Sequence, residues 1–233
     1  MKKYVFDEPL IKGLIKSRPN RFIMSVKIAN KIEKCHCPTT GKIGNIEFKN
    51  IPCLLSNSKN TTRKTKYTVE AIAPSAKIWL GINQIKANRY IEFFLKNNLL
   101  TKIINVKEIR REVKLKNSKI DFLINDNCFL EVKTPLRQLP FGNKKNSNNF
   151  NSFERLNRHY QDISSNIKRK QRAVVLLCYL YDAPKFKIPK NPNEHVINTV
   201  KTATSKGLEN WQINLKVDQR GISLINYFKL NLF

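Results

Sequence analysis

The stretch KIDFLINDNCFLEVK (119–133) places two acids and a lysine inside or beside apolar runs. Asp121 lies in IDFLI and Glu131 in CFLEV, with Lys133 two residues beyond the glutamate. Carboxylates are rarely buried without a partner, because taking a charge out of water is costly. Two of them beside a lysine ask for a cation or a charged substrate. Oxygen donors of this kind suit Mg2+ or Mn2+. Such an ion acidifies a bound water and offsets charge on a scissile phosphate. A lysine at this position orients that water or stabilises developing charge. Asp121, Glu131 and Lys133 are therefore the candidate catalytic residues, with Asp121 and Glu131 as metal ligands.

This chemistry requires the two runs to be neighbouring strands. Asn125-Asp126-Asn127 between them is turn chemistry, so a hairpin is expected. D-x9-E-x-K then comes together at one sheet edge. Strand alternation puts Glu131 and Lys133 on one face and Val132 on the other. A metal-binding hairpin of this pattern resembles that of PD-(D/E)XK nucleases. Upstream, Ile85, Ile91, Phe94 and Leu95 recur at near-helical spacing, which predicts a helix within 83–100. It carries Glu92 as a further candidate metal ligand, with Glu112 as a weaker one. EIRREVKL reads as another strand, and FGNKKNSNNFNS (141–152) as a polar loop. Then follow a helix in FERLNRHYQDISSNIKRKQ, a strand in AVVLLCYLY, a helix in EHVINTVKTATSKG closed by Gly207, and a final strand in NWQINLKV. Residues 1–80 differ in character. RFIMSVKI, KIEKCHC, IPCLLS and KYTVEAIA are short apolar segments between turn signals, the pattern of a small barrel. Two parts are expected: an all-β one over 1–80 and a mixed α/β one over 81–233.

Composition supports a charged partner. Of 233 residues, 44 are Lys or Arg and 17 are Asp or Glu, a net charge of +27. That balance attracts polyanions, DNA first and RNA second. Abundant Lys, Asn and Ile leave a second explanation open, a basic surface set by genome composition and a protein partner. The five cysteines are odd in number and form no disulfide framework, which fits reduced thiols in the cytoplasm. Cys35-His36-Cys37 has no second ligand pair at zinc-finger spacing. MKKYVFDEPL has acids where a secretory signal needs an apolar core. AVVLLCYLY is too short to span a bilayer.

Several segments resemble one family in the right order. SRPNRF (17–22), CHCPTTGKI (35–43), RKTKYTVEAI (63–72), WLGINQIKANRYIEFFL (79–95), REVKLKNSKIDFLI and FLEVKTPL are similar to motifs of the sugar fermentation stimulation protein family of bacteria and archaea. The resemblance implies an N-terminal OB-like β-barrel and a C-terminal α/β domain of the PD-(D/E)XK restriction-endonuclease-like fold. It also implies DNA binding and a link to sugar (maltose) utilisation. OB barrels bind nucleic acid through basic and aromatic side chains on a strand face and adjoining loops. The candidate contacts are Arg18, Asn20, Arg21, Arg63, Lys64 and Lys66. Phe22 and Tyr67 are stacking candidates, with Phe22 expected in the core. Arg155 and His159 share a helix face as a joint phosphate contact, and His159 is also a candidate base. Thr39 stands where the family has Asn, and Gln84 where it has Thr. The segment NNFNSF ahead of Glu154 has lost the family's Pro-Asp-Ala-x-Thr. Two expectations follow. The chain is a Mg2+- or Mn2+-dependent nuclease, or it is a DNA-binding regulator of sugar (maltose) metabolism on a nuclease scaffold.

Overall fold

The computed structural model describes residues 2–44, 46–75, 78–136, 153–167 and 170–233, with the backbone alone for 153–156. The polar loop expected over 141–152 lies outside the described residues. In chain order β1 is Tyr4–Val5, β2 Ile11–Ser17, β3 Ile23–Ile28, β4 Lys31–His36, β5 Ile51–Asn57, β6 Tyr67–Ser75 and β7 Ile78–Gly81. Strands β2 to β6 form a closed five-stranded barrel. Its order is β4-β3-β2-β5-β6, and a parallel contact of β4 with β6 closes it at His36 opposite Thr68. This is the Greek-key connectivity of an OB fold. Alternation fills the interior: Met24 and Val26 from β3 pack with Ile15, Cys53, Leu55 and Val69.

The second sheet is built from α1 (Ala87–Lys96), β8 (Ile109–Leu115), β9 (Ser118–Ile124), β10 (Cys128–Lys133), α2 (Phe153–Asn166), β11 (Arg172–Tyr179), α3 (Glu194–Ser205), β12 (Leu208–Val217) and β13 (Gly221–Leu230). Its order is β1-β13-β12-β11-β10-β9-β8, with β10, β11 and β12 parallel and the rest antiparallel. Central strands covered on both faces read as continuous apolar runs, which is why CFLEV and AVVLL lack a polar side. Helix α1 packs Tyr90, Ile91, Phe94 and Leu95 against Phe122, Leu130 and Val132. On the opposite face, Tyr160 and Ile163 of α2 and Val200 and Ala203 of α3 cover Leu123, Phe129 and Val175.

The hairpin turn forms as its residues dictate. Asn125 and Asp126 both take left-handed backbone, φ 50° and 57°, the type I′ geometry that Asn and Asp tolerate. Besides the short β1, three strands were not expected from the sequence. In β2 two lysines and Gly13 interrupt the apolar run, β7 is only four residues long, and β13 is half-exposed along much of its length. The predicted helix within 83–100 is shorter, a 3-10 turn at Gln84–Lys86 followed by α1. The start of the chain also departs from an all-barrel 1–80, because Tyr4 and Val5 pair with Ile222 and Gly221 of β13.

Barrel and second sheet are tightly joined. The Gly81 N–H donates to Leu180 O at 2.9 Å. A Cβ on Gly81 would lie 2.5 Å from the Leu180 Cβ and 2.8 Å from a Val217 methyl, so only glycine permits this approach. Ile82, Tyr179, Tyr181 and Ala183 share one core with the barrel.

Candidate active site

Leu130 of β10 stands opposite Phe122 of β9. One step further brings Glu131 level with Asp121, and there side chains replace the backbone ladder. The Val132 N–H donates to Asp121 Oδ2 at 2.8 Å, and the Asp121 N–H to Glu131 Oε2 at 3.3 Å. Each carboxylate thus accepts a backbone donor from the other's strand. Asn88 Nδ2 donates to Asp121 Oδ1 at 2.7 Å. Glu131 Oε1 accepts from Lys133 Nζ and from His159 Nδ1, both at 2.6 Å. An ionised carboxylate can only accept, so His159 donates to it from Nδ1.

Electrostatics divides the two acids. Burial raises the Asp121 carboxyl above its ordinary range, and the charge of Glu131 adds to the rise. The Val132 N–H, Asn88 and Lys133 oppose it without cancelling it. Burial also works against the charge of Glu131. The His159 hydrogen bond and the Lys133 ammonium outweigh it and hold that carboxyl below its usual range. The result is one firmly ionised acid beside one whose charge is disfavoured, the asymmetry that acid–base sites exploit.

Two expectations are corrected here. His159, paired with Arg155 as a joint phosphate contact, is only 3% exposed and faces Glu131. It does so because α2 covers the sheet face toward which Glu131 points. Arg155 falls within α2, and its side chain lies outside the described residues. Glu92 does not meet Asp121 or Glu131. It pairs with Lys96 at 2.8 Å and Arg111 at 3.3 Å, because it lies further along α1, within reach of β8. Asn88, one turn earlier, is the α1 residue that reaches Asp121. The signal for it was the first Asn of the N-x-x-x-E spacing at 88–92. Glu112 lies on an exposed edge and pairs with Lys119 at 2.5 Å.

The end of β10 is tied to the barrel. Gln84 Nε2 donates to the carbonyl of Thr134, the residue after Lys133. Thr39 Oγ1, on the loop after β4, donates to the carbonyl of Ile82. Glu70 of β6 accepts from Ser56, Lys86 and Asn83 at 2.5, 2.5 and 2.8 Å.

The barrel candidates separate into two groups. Arg18 Nη2 donates to the carbonyls of Thr39 at 2.7 Å and of Arg21 and Gly41 at 3.2 Å. Asn20 Oδ1 accepts the N–H groups of Phe22 at 2.9 Å and Ile23 at 3.0 Å. Both side chains hold the loop together. Arg21, Lys64 and Lys66 are exposed, and Arg63 is half-buried. Phe22, expected in the core, is 44% exposed, because the Asn20 turn interrupts the alternation before β3 begins.

Comparison with known proteins places this geometry in a family. Residues 17–82 match the model described as SfsA N-terminal OB domain, and 85–221 match the sugar fermentation stimulation protein RE domain. A sugar fermentation stimulation protein homolog from Pseudoalteromonas atlantica is 27% identical over 94% of this chain and 96% of its own. One from Pelagibacter ubique is 27% identical over 97% of this chain and 98% of its own. One from Teredinibacter turnerae is 33% identical, over 59% of this chain and 61% of that protein's length. Pyrococcus furiosus SfsA, solved in complex with Ca2+, has the same fold, with TM-score 0.78 over all of both chains at 18% identity. The chain therefore belongs to the sugar fermentation stimulation protein family.

Proposed function

We propose that the protein is a divalent-metal-dependent nuclease whose site is the Asp121–Glu131–Lys133 hairpin of a PD-(D/E)XK-type domain. That domain runs over 81–233, joined by Tyr4–Val5, and the barrel before it is a nucleic-acid-binding module. The observation that carries this reading is the carboxylate pair, Glu131 buried and Asp121 half-buried beside it. Asp121 is held beside Glu131 at a cost that its raised pKa records, and a bound cation removes that cost. The donors are oxygens, which fits Mg2+, Mn2+ or Ca2+. The Ca2+ bound by the Pyrococcus furiosus protein supports the same class of ion. Such an ion supplies an acidified water and positive charge beside the phosphate.

The chain's own groups do the rest. Asp121 and Glu131 are the ligands, fixed by the crossed hydrogen bonds of β9 and β10. Lys133, with its side chain 22% exposed, reaches both Glu131 and the solvent-facing side where a phosphate would enter. It orients the attacking water or stabilises the charge that develops on the phosphate oxygens. His159 keeps Glu131 ionised and oriented through Nδ1.

A second reading is a nucleic-acid-binding protein on a nuclease scaffold that does not cleave. It is favoured by Glu92, which Lys96 and Arg111 already neutralise. Among the described residues, no three His, Cys, Asp or Glu side chains are set to hold a metal together. The link to sugar (maltose) metabolism rests on the family's name alone.

The test is cleavage of labelled single- and double-stranded DNA and RNA with Mn2+, Mg2+ or EDTA. Metal-dependent cleavage is expected, abolished in Glu131→Ala and reduced about 10²- to 10³-fold in Lys133→Ala. No cleavage with any metal, with binding retained in all three proteins, overturns the nuclease and leaves the second reading.

A further inference from the structure

The barrel has a feature that the carboxylate site does not use. In OB folds, the loops between the first and second and between the fourth and fifth barrel strands flank the ligand-binding face. Here these are residues 18–22 between β2 and β3, and 58–66 between β5 and β6. Strand register brings them to one place. Ile23 stands opposite His36, and His36 stands opposite Thr68. The start of β3, the end of β4 and the start of β6 therefore meet, with Phe22 on one side of His36 and Lys66 on the other.

Phe22 is exposed yet fixed. Asn20 Oδ1 holds its N–H, and its carbonyl accepts the Cys37 N–H at 2.7 Å. The Arg21 guanidinium lies over its ring, 4.7 Å from the centroid. An aromatic ring pinned at its backbone and open to solvent has no role in the core, because Met24 and Val26 supply that side. Around it lies positive charge that no carboxylate among the described residues pairs with: none of the ion pairs there uses Arg21, Arg63, Lys64 or Lys66. Arg63 Nη2 is buried without an acceptor among the described residues. After burial, the charge of Arg63 also helps to hold the His36 imidazole below its usual range, which places it close to this face.

We infer that this face of the barrel binds single-stranded polynucleotide, with one unstacked base on the Phe22 ring and the phosphates along Arg21, Arg63, Lys64 and Lys66. A platform of this kind selects strandedness, because a base in a duplex has both faces covered by its neighbours. Stacking on an aromatic ring tolerates any base. The inference rests on the proposed nucleic-acid function and specifies the form of the substrate.

The experiment measures equilibrium binding of the full chain in EDTA by fluorescence anisotropy. The probes are a single-stranded DNA, a single-stranded RNA of the same sequence and a DNA duplex, each about 12 nucleotides long, within the span of one OB barrel. Tighter binding of single strands than of duplex is expected. Phe22→Ala should weaken it about tenfold, as loss of one stacked base does, and Phe22→Trp should restore it. Comparing the DNA and RNA strands tells which sugar the site accepts. Duplex binding as tight as single-strand binding, or Phe22→Ala without effect on the single strands, overturns the inference. EDTA removes any contribution from a metal at Asp121 and Glu131. Failure here therefore leaves the cleavage reading intact, and absence of cleavage leaves this one intact.

Discussion

At the scale of residues, the site turns on how two neighbouring acids share one patch of low dielectric. Glu131 is compensated by His159 and Lys133, and Asp121 is not fully compensated by Asn88 and Val132. The consequences for stability have opposite signs. The folded pKa of Glu131 lies below its unfolded value, so Glu131 contributes stability above about pH 4.5, lost as pH falls through its lower folded pKa. The folded pKa of Asp121 lies above the unfolded value of 3.8, so its ionised form subtracts stability at neutral pH, and acidification through the folded pKa relieves the loss. Asp121→Asn should therefore raise the melting temperature at neutral pH by a few degrees in EDTA, with no such gain at low pH, while losing metal binding. A lower melting temperature for this variant in EDTA at neutral pH would show that the charge on Asp121 is not a burden. The acid, acid and lysine were legible because strand alternation and a short turn fix their relation locally. Asn88 was not, and His159 was singled out without its partner Glu131, because the reach of both depends on which sheet face each helix covers.

At the scale of elements, the joint between barrel and sheet is the most demanding piece of packing. β7 enters so close to Leu180 and Val217 that a methyl group at residue 81 overlaps both. Gly81→Ala should cost about 1–3 kcal/mol, measured as a lower denaturant midpoint, since an overpacked core must shift to make room. An unchanged midpoint would mean that β7 is not held there. The sequence told strands from helices well where runs were continuous, as in β10 and β11. It failed for β2, β7 and β13, whose apolar residues are interrupted or half-exposed and whose strand character comes from their partners. Glu92 shows the same limit: its helix was foreseen, but the strand β8 arginine that neutralises it was not.

At the scale of the whole molecule, a net charge of +27 must govern encounter with any polyanion. Binding of nucleic acid should weaken at least tenfold between roughly 50 and 200 mM salt, because phosphate contacts release counterions. Flat affinity across that range would point to a protein partner instead. No helix among the described residues is long and apolar enough to cross a membrane. The barrel and the carboxylate site are mechanically linked, through Thr39 to Ile82 and through Gln84 to the end of β10. The most direct measurement is calorimetric titration of Mn2+ into the full chain, beside Asp121→Asn and Glu131→Gln. One site is expected in the unaltered protein, lost in both variants, with affinity falling on acidification at a pH above 3.8 as Asp121 takes up its proton. Equal Mn2+ binding by all three proteins would contradict a metal site on this hairpin.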